Sequence, residues 1–304
     1  LHVRSRRQRQ MCIRDSYILG LYEILDRIFG PRPQILLESC SSGGNRFDLG
    51  MLAFSPQIWA SDNTDPIERL RIQSGLSLFY PLSSMGAHVS LAPHQQTLRD
   101  TPLSTRFNVA AFGLLGYELD PGELSKEEAK EVEQQLAFYK QYRRLFQFGK
   151  FYRGESFKAN KYQWLCVDES GQKAVALLAQ ALARAAESND MLCLKGLLPE
   201  VRYQLKTVPQ KLALRRFGHL IKHALPIKIK ARSPLFALID ARYSLDDGAF
   251  SVQASGAALA AGICLNNQFI GTGYHKDLRL WGDFGSQLYL LQAEDYQEES
   301  GEEK

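Results

Sequence analysis

The 304-residue sequence contains no uninterrupted apolar run near the roughly 18 to 20 residues of a membrane span. Its smoothest stretch, Ala254 to Leu265, is short and rich in Gly and Ala. A membrane protein of the helical kind is therefore not expected. No apolar core follows the basic N-terminus, as a secretory signal would require. The five cysteines (Cys12, Cys40, Cys166, Cys193 and Cys264) are odd in number and form no Cys-x-x-Cys or Cys/His ligand spacing. That argues against a disulfide framework and a structural zinc site, and for a reducing cytoplasm. Neither a Walker A nor a GxGxxG spacing occurs around the Ser42-Gly43-Gly44 turn, so no nucleotide cofactor is expected.

Charge of one sign is also scarce once it is located. The net charge is +4, and residues 1–16 hold five arginines (Arg4, Arg6, Arg7, Arg9, Arg14) against Asp15 alone. The remainder is balanced, so no field steers the body toward nucleic acid or an anionic membrane surface. What is present, 45% apolar and 23% charged residues, is ordinary for a soluble globular chain of about two domains.

Residues 1–16 carry no apolar periodicity and read as neither helix nor strand. Met11 to Ser16, MCIRDS, matches the in-frame translation of a transposon-type sequencing adapter, ATGTGTATAAGAGACAG. The segment is expected to be non-native, with the true gene extending upstream; a disordered basic arm is the alternative, and a helical nucleic-acid-binding segment a third reading.

Residues 17–150 alternate helix-like and strand-like patterns. Tyr17 to Phe29 places Ile18, Leu21, Ile24, Leu25 and Ile28 on one helical face, stopped by Gly30-Pro31. Ile35 to Leu37 reads as a short buried strand, Gln57 to Ala60 as a second, with weaker strands at Met85 to Val89 and Phe112 to Tyr117. Asp65, Pro66 and Glu68 form an N-cap signature for a helix to Leu78, and Ser125 with Glu128 opens a long helix closed by Gly149. Thr105 to Ala111 reads as a short helix between the last two strands. The repetition predicts a parallel α/β sheet or a (β/α) barrel. Residues 151–304 break into short apolar segments separated by Gly, Asp, Asn and Pro, the spacing of an antiparallel β domain, before an acidic tail, Glu298 to Lys304. Gln172 to Glu187 disagrees, because its composition is that of a strong helix former.

Polar residues crowd the ends of the first two strands, from Glu38 to Asp48 and from Trp59 to Asp65. In an α/β barrel the C-terminal strand ends line the active site. Asp65 is explained as a helix cap and Asp48 as a turn or ion-pair residue beside Arg46. Asp62 has no such duty, and a carboxyl partly desolvated near Trp59 would suit a general acid; ordinary loop polarity is the other reading. Cys40 reads as a pocket-lining or buried thiol rather than a nucleophile. His88 and His94 read as satisfied core or loop histidines.

Four longer segments carry a resemblance. LLESCSSGGNRFDLGML (Leu36 to Leu52), PQIWASDNTDPIERLRIQ (Pro56 to Gln73), YPLSSMGAHVS (Tyr80 to Ser90) and GYELD (Gly116 to Asp120) closely resemble the α-galactosidases of glycoside hydrolase family 36. The likeness continues more loosely through SGAALAAGICL, GTGY and GDFGSQLYLL. It implies the C-terminal half of a (β/α)8 TIM barrel over residues 17–150, followed by an antiparallel β-sandwich domain over 151–304, with residues 172 to 180 as strand. It further implies that Asp62, first aspartate of SDNTD, is the acid/base; that Cys40, Gly43 and Gly44 form the wall of the sugar site; and that Trp59 lines it. Asn45 stands where the family usually has a third glycine, and either narrows the pocket or tolerates a positive φ.

The family's nucleophile lies in a Lys-Trp-Asp motif that occurs nowhere in this sequence. A retaining glycosidase needs two carboxyl groups about 5–5.5 Å apart. The chain is thus expected to be an inactive fragment of a retaining, cytoplasmic α-galactosidase acting on α-galactoside oligosaccharides such as melibiose and raffinose. Its oligomeric state is left open, a homo-oligomer included. The alternatives are a family relative with transglycosylase or α-N-acetylgalactosaminidase activity, and a non-catalytic sugar-binding or assembly module.

Overall fold

The computed structural model describes residues 2–154, 160–184, 191–215, 230, 233–240, 242–246, 249–265 and 282–294. Residues 271–274 of the GTGY motif and the acidic tail lie outside the described residues.

The first helix, α1 (His2–Phe29), is longer than the sequence pattern predicts. No Gly or Pro precedes Gly20, and Arg and Gln are good helix formers, so the periodic helix of Tyr17 to Phe29 runs back to His2. The expectation of no regular structure over residues 1–16 is corrected accordingly. Residues 7–16 are exposed throughout, and the Tyr17 hydroxyl accepts from Arg46 Nη2 at 2.7 Å.

Four parallel strands follow: β1 (Glu38–Ser39), β2 (Gln57–Trp59), β3 (Met85–Ser90) and β4 (Leu114–Glu118). They pair in chain order, β1-β2-β3-β4. One-turn segments α2 (Ser41–Gly44) and α3 (Leu49–Leu52) separate the first two strands. Helices α4 (Pro66–Leu76) and α5 (Leu103–Ala110) make the next two crossovers, and α6 (Lys126–Phe148) follows β4. A strand order that never reverses is that of half a (β/α)8 barrel, not of a doubly wound sheet. Asp65 caps α4 through Ile67 N–H, and Ser125 with Glu128 forms the capping box that opens α6.

Ile35 to Leu37 corrects the expected first strand. Ile35 and Leu36 are 46% and 83% exposed, and only Glu38 and Ser39 pair, because β1 is an edge strand with β2 as its one neighbour among the described residues. The two sheet faces differ sharply. Met85, Ala87 and Val89 pack on Ile67 and Leu70 of α4 and on Leu103 and Phe107 of α5. The alternate positions carry Gln57, Trp59, His88 and Glu118 on the other face. That polar face carries the candidate site.

The second unit is a six-stranded antiparallel sheet in the order β12-β9-β14-β7-β6-β5. Its strands are β5 (Lys150–Arg153), β6 (Lys161–Val167), β7 (Lys173–Gln180), β9 (Arg202–Thr207), β12 (Ser251–Ser255) and β14 (Ser286–Ala293). β8 (Met191–Leu192) with β13 (Ile263–Cys264), and β10 (Lys211–Ala213) with β11 (Ser244–Asp246), form two small ribbons. The helix-rich composition of β7 yields to burial on both faces. Val175, Leu177 and Ala179 face the core shared with the barrel helices, while Ala174, Ala176 and Leu178 face Leu192, Leu194 and Leu259. A strand buried on both sides reads apolar throughout, which is why its period is invisible in the sequence. Trp164 Nε1 donates to Ser74 Oγ at 3.0 Å and Thr105 Oγ1 to the Phe284 carbonyl at 2.7 Å, joining the two units.

Candidate active site

The loop after β1 and the loop after β2 meet at the strand ends. Ser41, Ser42, Gly43 and Gly44 all have positive φ (52°, 56°, 72° and 87°), a left-handed turn that for the two serines costs about 1–2 kcal/mol each. The turn closes through Gly44 N–H to the Cys40 carbonyl at 2.9 Å. It brings the backbone hard against β2 and its following loop. A Cβ on Gly44 would lie 2.6 Å from the Ala60 carbonyl oxygen; one on Gly43 would lie 3.0 Å from the backbone N and 3.2 Å from Cγ of Asp62. Only glycine fits both positions. Asn45 has φ −62° and donates its side-chain amide to the Ser42 carbonyl at 3.1 Å, so the positive-φ reading of that residue is corrected.

Asp62 accepts a hydrogen bond at Oδ1 from the Trp59 indole N–H at 2.9 Å. The two residues are three apart, the strand end turning so that the indole and the carboxyl point together. Asp62 is exposed, which corrects the expectation of a partly desolvated carboxyl; Trp59 is buried and Cys40 exposed. Gly43 thus lies against Asp62, Gly44 against the backbone of Trp59 and Ala60, and Trp59 bonds Asp62, with Cys40 at the start of the same turn. Asp65 and Asp48 act as helix caps, Asp48 accepting from Met51 N–H at 2.9 Å and from the Tyr22 hydroxyl at 3.2 Å. His94 is buried and satisfied, with Thr64 Oγ1 3.0 Å from Nε2 and the Gln96 N–H donating to Nδ1.

Three residues that sequence reasoning did not place there enter the candidate site: Arg69, His88 and Glu118. Arg69 is buried; its Nε donates to the Asn63 carbonyl at 2.9 Å, Nη2 to the Ser61 carbonyl at 2.6 Å and Nη1 to the Gly86 carbonyl at 3.0 Å. Its Cζ lies 4.6 Å from the Trp59 ring centre. Burial lowers its pKa to about 10, against the raising influence of Glu118 and Asp62. His88 corrects the expectation of a satisfied histidine: its ring packs on Trp59 with centroids 4.3 Å apart, and Nδ1 is buried without a hydrogen bond, 3.5 Å from Glu118 Oε2. The alternation of Ala87, His88 and Val89 along β3 was the available signal, since it turns His88 away from the apolar face. Among the described residues no group of three or more His, Cys, Asp or Glu is placed to hold a metal.

Comparison with known proteins finds relatives for both halves of the chain. The family model described as Melibiase matches residues 2–149, and that of the glycosyl hydrolase family 36 C-terminal domain matches residues 161–291. The chain is 48% identical over 198 residues to Alpha-galactosidase 1 of Pediococcus pentosaceus, covering 65% of this chain and 27% of that protein. It is 48% identical over 201 residues to Alpha-galactosidase AgaA of Geobacillus stearothermophilus, covering 66% and 27%. Among solved structures, the α-galactosidase of Lactobacillus brevis superposes with a TM-score of 0.70 at 36% identity, covering 92% of this chain and 32% of that one. An AgaA variant in complex with raffinose gives 0.68 at 36% identity, covering 90% and 31%. The chain therefore spans between a quarter and a third of the length of these relatives. By both its halves, it belongs to glycoside hydrolase family 36.

Proposed function

We propose that this chain carries the acid/base side of a retaining α-galactosidase site acting on terminal α-galactosyl residues of oligosaccharides such as melibiose and raffinose. The observation that supports it most is the Trp59 indole donating to Asp62 Oδ1 while Gly43 lies against the same carboxyl. With one oxygen occupied by the indole, the other is left to carry the proton that goes to the leaving-group oxygen. Cys40, Gly43 and Gly44 would wall the sugar, and Trp59 would line it. The close approach of the glycine backbone gives such a wall no protruding Cβ. The raffinose bound by the AgaA variant supports the substrate class.

In a retaining site the second carboxylate attacks the anomeric carbon from about 5–5.5 Å away. These 304 residues contain no Lys-Trp-Asp motif, so the nucleophile would come from barrel strands outside this sequence, and the chain by itself would not turn over substrate. A hybrid in which residues 17–304 replace the matching part of AgaA should release galactose from melibiose and raffinose. Sugar binding without turnover in a folded hybrid would instead favour a non-catalytic sugar-binding module.

A further inference from the structure

We propose that His88 is a positioning residue for Asp62, acting through the Trp59 indole while its own imidazole is neutral. This rests on the acid/base reading of Asp62. The indole N–H fixes Asp62 Oδ1 at 2.9 Å, so the tilt of the Trp59 ring decides where the free oxygen of the carboxyl points. That ring is held by two neighbours: the Arg69 guanidinium, 4.6 Å from its centre, and the His88 imidazole at 4.3 Å and 44°.

The strands are shaped for this contact. A Cβ on Gly116, paired with His88 across β3 and β4, would lie 2.5 Å from His88 Cδ2, and one on Gly86 would lie 3.0 Å from Trp59 Cε3. Any larger residue at 116 would displace the imidazole. The groups that act on His88 are Glu118 on β4, Arg69 on α4 and Glu38 on β1. Burial is the largest influence and lowers its pKa from 6.5; Glu118 and Glu38 raise it and Arg69 lowers it further. His88 is accordingly neutral at pH 7. Charging it would set a second cation beside Arg69 against one indole. In the charged ring Nδ1 carries a proton 3.5 Å from Glu118 Oε2, so protonation would draw the imidazole toward that carboxylate and change its tilt against the indole.

The test is the indole 15N–1H spectrum of the 304-residue chain, in which Trp59, Trp164 and Trp281 give one resonance each and Trp59→Phe identifies the first. On acidification the Trp59 resonance should move toward its position in Asp62→Asn, with a midpoint below the 6.5 of an ordinary imidazole. His88→Phe, which keeps a ring against the indole, should hold the neutral-pH position and abolish that movement. His88→Ala should displace the resonance already at neutral pH. An unchanged Trp59 resonance in a folded His88→Ala chain, or movement persisting in His88→Phe, overturns the proposal. Should the alanine variant unfold, the phenylalanine variant decides alone. No galactoside is involved, so failure here leaves the assignment of Asp62 untouched.

Discussion

Arg69 fixes Asp62 through the backbone on either side of it, bonding the carbonyls of Ser61 at 2.6 Å and Asn63 at 2.9 Å. The same guanidinium reaches the Gly86 carbonyl on β3, so one buried side chain ties the Asp62 loop to the sheet. A lysine carries its donors at one point and cannot span three carbonyls. Arg69→Lys should lower the unfolding free energy by about 2 kcal/mol or more, since each abandoned buried acceptor costs about 1–3 kcal/mol. Urea denaturation checks this, and a loss below about 0.5 kcal/mol would show that the loop does not depend on the fork.

The glycine turn makes a paired prediction. Gly44→Ala puts a Cβ 2.6 Å from the Ala60 carbonyl at φ +87° and should destabilise by about 1–3 kcal/mol. Gly75→Ala, within α4 and with nothing inside 4 Å, should stabilise by roughly 0.5–1 kcal/mol. Equal effects of the two substitutions on the thermal midpoint would remove the steric explanation of the turn.

Glu131 on α6 has its pKa raised to about 7, first by burial and then by Glu128, while Arg106 and the Gln135 hydrogen bond lower it. The folded state therefore holds this proton to higher pH than the unfolded chain does. Stability should fall as pH rises from about 4.5 to 7 and then level off. Glu131→Gln should remove that fall, raising the thermal midpoint at pH 8 and leaving it unchanged at pH 4. A variant no more stable than the parent at pH 8 would mean that Glu131 ionises freely in the fold.

Deleting residues 1–16 should leave the thermal midpoint unchanged. Residues 7–16 are exposed throughout, while Tyr17 bonds Arg46 of the body. The Melibiase family match does extend back to residue 2. A clear drop in midpoint on deletion would show that the basic segment packs and is native.

The barrel half was legible because its helices carry local signals. Asp65-Pro66 and Ser125 to Glu128 mark helix starts through groups only a few residues apart, and both caps are present. Strands were harder, since two or three residues of β1 and β2 give no period to read. At Ile35 to Leu37 the apolar run was mistaken for the strand, although pairing depends on a neighbour that sequence does not display. In β7 helical propensity lost to burial on both faces, and the motif resemblance anticipated the strand where composition did not. Within the site, Asp62, Gly43 and Gly44 stand in motifs. The Arg69 bond to Gly86 and the His88 contact with Trp59 span 17 and 29 residues of chain, through the parallel pairing of β2 and β3.

The most direct test is the hydrolysis of melibiose and of p-nitrophenyl α-galactoside by the AgaA hybrid with Asp62 and with Asp62→Asn. Loss of the proton donor should reduce melibiose hydrolysis by about 10²–10⁴-fold. The first step on the aryl substrate, whose leaving group needs no proton, should suffer much less. Near-normal melibiose hydrolysis by Asp62→Asn would contradict the assignment of Asp62 as the acid/base.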